Sequence, residues 1–197
     1  MSGIITDNQG RSSGLVKAVA AGGGGLLQIK ETKYSAHHTL NSATYAEFDA
    51  AYAVTITPTA ADSSFLLSAN VNLASTDHDT CCFLNMFDSQ VGTTSSDNIF
   101  TDTAVSSSRT LAYMMGSFCM TGFGASGADE KLLVTSNITG LYTPASNNDS
   151  ARTFSVCAKR NNVSNDVQLN YCTEDGGTVG QGVSTIRVME IANSVVS

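Results

Sequence analysis

The sequence is poor in charge, in proline and in long apolar runs. Charged residues make up 14% of its 197 residues, well under the roughly 25% of a typical domain. Acidic residues outnumber basic ones by 17 to 10, and the net charge is −7. A chain of this charge is poorly suited to neutralising phosphates, so we expect no nucleic-acid partner. No run approaches the ~18 apolar residues of a membrane span, so we expect no membrane insertion.

Hydrophobic residues nevertheless reach 42%, which is enough to form a core and too much for a disordered chain. Ser, Thr, Asn and Gly take the place of the missing charges, as in many extracellular and virion β-proteins. The opening MSGIITDNQGRSSG has no basic flank followed by an apolar stretch. We therefore expect cytoplasmic synthesis without a secretory signal.

Residues for catalysis or metal binding are also scarce. Only three histidines are present, and the adjacent His37 and His38 would project to opposite faces of a strand. No HExxH, GxSxG or P-loop occurs, and no carboxylate pair can be identified. The glycines of GFGASGADE precede the strand-like stretch 131–134, so we interpret them as a loop. We expect no enzymatic activity, no metal and no cofactor.

The five cysteines, Cys81, Cys82, Cys119, Cys157 and Cys172, form no CxxC pair. Most lie in apolar or alternating stretches, where a thiol behaves as a small hydrophobic group. We expect reduced, buried cysteines. The alternative is one disulfide between Cys157 and Cys172, because the turn-rich segment NNVSND between them predicts a hairpin that would bring them within reach.

The chain divides into an arm, a tether and a domain. Residues 1–25 are a polar arm with the short helix-capable piece LVKAVAA, and they end in Gly22, Gly23, Gly24 and Gly25. Four consecutive glycines predict a flexible hinge. We expect residues 26–197 to form one separate domain.

That domain is a series of short strand candidates separated by turn residues. LLQIKETK, AYAVTITP, SSFLLSANVNLAS, TCCFLNMFDS, LAYMMGSFCMTGF, KLLVTSNITGLYT, ARTFSVCAKR, NDVQLNYC and GVSTIRVMEIA are rich in β-branched and aromatic residues with period-two alternation. SATYAEFDAAYA between them favours a short helix or an edge piece. Together with only two prolines, this pattern predicts an all-β fold: an antiparallel, jelly-roll-like β-sandwich.

Two polar loops are candidate ligand sites. Residues 90–108 form a long polar excursion, and a second loop covers 144–150. Loops of this length are often functional. Their polar residues could contact a glycan or hold a calcium ion, although hydrophilic loop tips alone would explain them. The candidates are Asp97, Asn98, Asp102, Asn147, Asn148 and Asp149.

Several segments resemble a family of uncharacterised virion proteins of marine and freshwater tailed phages, including cyanophages and pelagiphages. They are the opening ITDNQGRSSGLVKA, the strand beginning LLQI, VTITPTAADSSFLLSANVNL and the ending DGGTVGQGVSTIRVMEIA. The family's "TITP" falls at Val54–Pro58, its following strand at Ser64–Leu73 and its "STI-VMEI" ending at Gly182–Ile191. One departure is that the usual "S-K" opening of the family strand is Ser63-Ser64-Phe65 here.

The resemblance implies a structural role in the virion, as a fibre, spike or decoration subunit that is commonly trimeric, and it carries over no catalytic residue. We therefore expect residues 1–25 to dock onto another virion protein on the capsid, neck or tail. FLLSANVNL and YMMGSFCM suggest sandwich faces too apolar for a monomer, which favours a homotrimer. The docking candidates in the arm are Ile4, Ile5, Arg11, Leu15, Val16 and Lys17.

The alternative function is receptor recognition, in which the two polar loops bind a host surface glycan. A depolymerase activity is disfavoured, because no carboxylate pair is identifiable and the domain is short for such an enzyme.

Overall fold

The computed structural model describes residues 25–75, 81–94, 96–100, 103–106, 109–111, 117–119, 133–145, 150–160, 166–174 and 177–192. In these stretches every regular element is a β-strand. None of these residues forms a helix long and apolar enough to cross a membrane. The predicted arm lies outside them except for Gly25, whose carbonyl accepts a hydrogen bond of 3.0 Å from the Ala192 amide. The last glycine of the predicted hinge therefore already belongs to the folded domain.

The longer strands follow the predicted runs, because each run alternates side chains between a core face and an outer face, whereas some strands of three to five residues fall outside those runs. The described residues form fifteen strands. They are β1 (Leu26–Tyr34), β2 (His38–Leu40), β3 (Ala46–Glu47), β4 (Ala53–Ile56), β5 (Ser64–Ser75), β6 (Cys81–Asp88), β7 (Thr103–Ser106), β8 (Arg109–Leu111), β9 (Ser117–Cys119), β10 (Val134–Tyr142), β11 (Arg152–Arg160), β12 (Val167–Leu169), β13 (Tyr171–Glu174), β14 (Gly177–Gln181) and β15 (Ser184–Ile191).

Two antiparallel sheets form the body of the domain. The first sheet has six strands in the order β1–β15–β5–β12–β2, and β10 also pairs with β5. The second sheet has five strands in the order β3–β11–β6–β9, and β4 also pairs with β11. Two small hairpins, β7–β8 and β13–β14, complete the described strands. Successive strands β4, β5 and β6 alternate between the sheets, as do β9, β10, β11 and β12. The all-β, antiparallel, jelly-roll-like sandwich predicted from the sequence is confirmed.

The core lies between the two sheets. On β5 the inward residues Phe65, Leu67 and Val71 have no exposed surface. Phe65 meets Phe154 of the opposite sheet with ring centroids 5.3 Å apart. Each such side chain contributes roughly 1.5–3 kcal/mol on burial, so this interface holds the layers together. The apolar character of FLLSANVNL is thus mostly used inside the subunit, and Leu66 is its large apolar residue that is not fully buried.

The ends of the described chain meet in the first sheet. β1 and β15 pair antiparallel, from Leu26 opposite Ile191 to Tyr34 opposite Ser184. β1 is an edge strand, with β15 as its one described neighbour. Residues 1–24 therefore join the domain at the edge of the first sheet.

The predicted hairpin around NNVSND is wrong. β11 pairs with β3, β4 and β6 of the second sheet, whereas β12 pairs with β5 and β2 of the first, so the chain crosses between layers at this point. Cys157 and Cys172 are accordingly separate, buried thiols that form no disulfide, and Cys82 is a third. The alternative of a Cys157–Cys172 disulfide is therefore wrong. Burial raises the pKa of the Cys82 thiol to about 12, which keeps it protonated and unreactive at neutral pH.

Two smaller expectations have mixed outcomes. SATYAEFDAAYA contains the two-residue strand β3 beside β11, which confirms the edge piece rather than the helix. The polar excursion 90–108 is not a loop throughout, because β7 within it pairs with β8.

Candidate functional site

Described residues of both loops predicted as ligand sites line one cleft, which Pro144 and Ala145 reach from the second loop. The cleft has a volume of about 290 Å³ and lies between the loop after β6 and the segment that joins β10 to β11. Its lining residues are Gln90, Val91, Asn98, Ile99, Tyr142, Thr143, Pro144, Ala145 and Arg152. The lining combines side-chain amides, hydroxyls and apolar groups, the kinds of group that ligand pockets contain.

A buried ion pair forms the floor of the cleft. Arg152 Nη1 donates to Asp88 Oδ2, and the two residues expose 1% and 0% of their surface. Tyr142 donates a second hydrogen bond, of 3.1 Å, to the same oxygen. Burial and the negative charge of Asp88 raise the pKa of Tyr142 to about 12. The floor therefore presents neutralised charges and a protonated phenol at neutral pH.

The wall formed by the loop after β6 is held by its own hydrogen bonds. The Asp88 carbonyl accepts from the amides of Val91 at 2.8 Å and Gly92 at 2.9 Å. Asp97 accepts from the Thr94 amide at 2.9 Å and from its hydroxyl at 2.5 Å, and these bonds hold the pKa of Asp97 below its usual value. This turn is closed without any ligand.

Glycine is required at position 92, where the backbone of this loop passes Asp97. The φ of Gly92 is +143°, a value that residues with a Cβ rarely adopt. A Cβ here would stand 2.3 Å from Asp97 Oδ2, far inside van der Waals contact. The close approach of the backbone to Asp97 gives the wall its shape.

Phe100, near the end of the loop after β6, is attached to the core through hydrogen bonds with Asn85. The Asn85 side-chain amide donates to the Phe100 carbonyl at 2.6 Å, and its Oδ1 accepts from the Phe100 amide at 3.3 Å. Because Asn85 is fully buried on β6, this pair of bonds fixes the loop where it leaves the cleft.

Two side-chain amides of the cleft are oriented by the main chain. Gln90 Nε2 donates to the Ala151 carbonyl at 2.9 Å, which links the two walls. Asn98 Nδ2 donates to the Phe100 carbonyl at 2.8 Å. On the opposite wall, the Thr143 and Ser64 hydroxyls are 2.8 Å apart and share a hydrogen bond. The polar groups of the cleft are thus fixed before any ligand arrives.

The predicted loop residues divide into three groups. Asn98 lines the cleft. Asp97 lies beside it and supports the turn instead. Asp102, Asn147, Asn148 and Asp149 lie outside the described residues, as do the arm candidates Ile4, Ile5, Arg11, Leu15, Val16 and Lys17 and the hinge residues Gly22, Gly23 and Gly24.

Glu190 and Arg152, the buried charged residues that connect distant segments, were not singled out from the sequence, although their positions in the strand alternation indicate burial. Glu190 shares a strand face with Ile186 and Val188, and Arg152 is in phase with Phe154 and Val156 on β11. All five are buried. A charged residue in phase with core residues is expensive unless it is paired, so it indicates a specific polar partner.

Glu190 holds the loop between β4 and β5. Its Oε1 accepts from the Thr59 amide at 2.7 Å, the Ala60 amide at 3.3 Å and the Ser63 hydroxyl at 2.5 Å. Its Oε2 accepts from Gln28 of the edge strand at 2.6 Å. Burial alone would raise the pKa of Glu190, but the bonds from Ser63, Gln28 and Thr59 outweigh it and keep the pKa below the usual value.

Asn170 connects distant segments in a similar way at the end of the first sheet where Tyr34 pairs with Ser184. Its φ is +63°, the left-handed region that asparagine tolerates better than most residues. Its Nδ2 donates to the Tyr34 carbonyl at 2.8 Å, and its Oδ1 accepts from the Ser184 hydroxyl at 2.6 Å. Asn170 thereby ties the β12–β13 junction to the paired strands β1 and β15.

His37 and His38 contact different rings, in agreement with their predicted separation. His37 stacks on Tyr171 with centroids 4.6 Å apart. His38 meets Phe48 edge to face at 6.3 Å. Across the described residues there is no cluster of three or more His, Cys, Asp or Glu side chains that could hold a metal ion.

The outer face of the first sheet carries a row of apolar side chains. Ile29, Met189, Leu66 and Leu141 are direct neighbours across β1, β15, β5 and β10, so they project from one face. The alternate residues Val188 and Leu67 are buried in the core, which places this outer apolar row on the opposite side. Ile29 is 48% and Leu141 45% exposed, and Leu26 and Leu27 extend the row along the edge strand.

Comparison with known proteins adds no identification. No family model matches the chain, and no curated protein shows significant similarity to it.

Proposed function

We propose that this chain is a non-enzymatic structural subunit of a tailed-phage virion: a fibre, spike or decoration protein that assembles as a homotrimer. In this proposal residues 1–25 attach the subunit to another virion protein on the capsid, neck or tail. The sequence segments that resemble phage virion proteins supply the biological setting. The outer apolar row supplies the observation that carries the assembly.

The outer apolar row supports assembly because it joins large exposed apolar side chains into one surface. Single exposed apolar residues are ordinary, whereas a contiguous group is typical of a contact with another molecule. The row crosses four neighbouring strands and continues along the edge strand to Leu26. An edge strand is also the part of a sheet most open to a neighbouring chain.

The position of the arm is compatible with such an assembly. Residues 1–24 join the domain next to Leu26, at the end of the outer apolar row. If subunits meet through this face, their arms leave the assembly close together. Grouped arms favour attachment to one partner, because linked binding segments raise each other's effective concentration.

The buried charged groups have structural uses that fit this role. Glu190 fastens the loop between β4 and β5, and the Asp88–Arg152 pair supports the cleft floor. Both sites join segments that are distant in sequence.

The first test is the mass of the purified full-length protein in solution. Light scattering is expected to give three times the 20.5 kDa chain mass. Replacing Ile29 and Leu141 by serine should lower this mass toward a single chain. Val183→Ser is the matched control, because Val183 is 53% exposed but lies outside the row. A single-chain mass for the unchanged protein contradicts the trimer.

The second test concerns the virion itself. Protein lacking residues 2–24 should keep its folded domain and fail to enter purified particles, whereas the full-length protein should be present in them. Incorporation of the shortened protein at the normal level would contradict the anchoring role of the arm. Absence of the full-length protein from particles would contradict the virion assignment altogether.

A further inference from the structure

We propose that the cleft between the loop after β6 and the β10–β11 segment binds one uncharged sugar ring of a glycan. The proposal rests on the charge, the polar groups, the apolar groups and the size of the cleft. It concerns a single chain and does not depend on the trimer or on the virion assignment.

The charge of the floor favours an uncharged ligand. Arg152 and Asp88 are paired with each other and fully buried. Tyr142 directs its hydroxyl hydrogen to Asp88. An acidic ligand would find Arg152 already paired with Asp88, and a basic ligand would find Asp88 already paired with Arg152. Either ligand would lose its hydration without gaining an ion pair.

The polar groups suit hydroxyl donors and acceptors. Gln90 and Asn98 use their NH₂ groups on the carbonyls of Ala151 and Phe100, and an amide oxygen accepts up to two hydrogen bonds. Their amide oxygens and the Thr143 hydroxyl are the groups that a polyhydroxylated ring can meet. Because the main chain already orients these side chains, little conformational entropy is lost on binding.

The remaining lining suits the C–H surface of a sugar. Val91 is 55% exposed at the cleft, and Ile99, Pro144 and Ala145 line it as well. Side chains of this kind pack against the apolar edges and faces of a pyranose while its hydroxyls bond to the amides. A purely apolar ligand would cover the amide oxygens without giving them hydrogen-bond partners, which disfavours its binding.

The size of the cleft limits the ligand to one ring. Its volume of about 290 Å³ lies just below the ~300–1,000 Å³ typical of ligand pockets. A single residue of a glycan fits this space, with the rest of the chain leaving through the open side. One such contact binds weakly, and several copies on a particle would strengthen attachment through avidity.

The test is saturation-transfer NMR on the full-length protein with methyl glycosides of neutral sugars, compared with a uronic acid and a basic aminosugar. At least one neutral glycoside is expected to bind with a dissociation constant near the millimolar range, and the charged sugars are expected to bind more weakly. Val91→Glu should lower that binding at least tenfold. Val183→Glu is the matched control, because Val183 is 53% exposed and lies outside the cleft.

Several outcomes overturn the proposal. They are no binding by any neutral glycoside, tighter binding of a charged sugar, and equal effects of the two glutamate substitutions. If Val91→Glu fails to fold, Gln90→Ala takes its place and should weaken binding severalfold. The light-scattering mass of the same samples reports on the trimer separately, so the two proposals can fail independently.

Discussion

The hydroxyl of Ser63 donates a 2.5 Å hydrogen bond to Glu190 Oε1, although the two residues are 127 positions apart in the chain. The bond fastens the loop before β5 to the last strand of the sandwich. The carboxylate meets further donors from Thr59 and Gln28, so one buried charge joins three distant segments.

We predict that Glu190→Gln lowers the free energy of unfolding by roughly 2–4 kcal/mol at pH 7, since a neutral amide cannot accept from all of these donors and charged hydrogen bonds are the stronger ones. Urea unfolding followed by circular dichroism measures the loss. Glu31→Gln is the matched control, because Glu31 forms a partly exposed pair with Arg187 and should cost under about 1 kcal/mol.

The loss of stability caused by Glu190→Gln should depend on pH. The folded pKa of Glu190 lies below its ordinary value of 4.5, so its ionised form stabilises the fold above about pH 4.5 and this contribution is lost as the pH falls through the folded pKa. The stability gap between the wild type and Glu190→Gln should therefore narrow in acid. A gap that widens below pH 4.5 would contradict this assignment.

We predict that the buried and the exposed arginine pairs differ strongly in strength. Arg152→Met leaves Asp88 buried without its cation and should cost about 3–5 kcal/mol. Arg187→Met removes a pair whose side chains are 47% and 30% exposed, and should cost at most about 1 kcal/mol. Chemical denaturation of both variants provides the comparison.

A double variant separates the buried charge from the lost packing. Asp88→Asn combined with Arg152→Met removes both charges and should be more stable than Arg152→Met alone. Similar losses for the Arg152 and Arg187 substitutions would mean that Asp88 and Arg152 are not a buried pair.

We predict that Gly92→Ala lowers stability by about 1–3 kcal/mol, because it combines a strained φ with a clash. The clash involves the carboxylate of Asp97, so adding Asp97→Ala should recover part of the loss but leave the φ strain. Thermal unfolding of the single and double variants tests this. No loss in the single variant would show that the turn has a different backbone conformation.

The cleft could be anticipated only in part. Polar composition pointed to the two loops and to Asn98, which lines the cleft. It gave no reason to expect Arg152 and Tyr142 beneath them, because both residues belong to strands. Their common position follows from the adjacency of the end of β10 and the start of β11, which is a property of the packed sheets.

The error at Cys157 and Cys172 has a similar origin. Two strands joined by a short turn-rich segment are usually a hairpin, but here the segment carries the chain from one sheet to the other. Local sequence reports which residues of a strand are apolar. It does not report which strand becomes the neighbour.

The amino-acid sequence by itself determined the longer strands and the class of fold. Period-two alternation reflects the burial of one face of each strand, and that burial is needed in any sandwich. The tertiary structure alone decided the partners: Ser63 with Glu190, Asp88 with Arg152, and Ile29 in one row with Leu141. These pairings join residues far apart in the chain, and they arise only when all the strands compete for the same core and settle into one register.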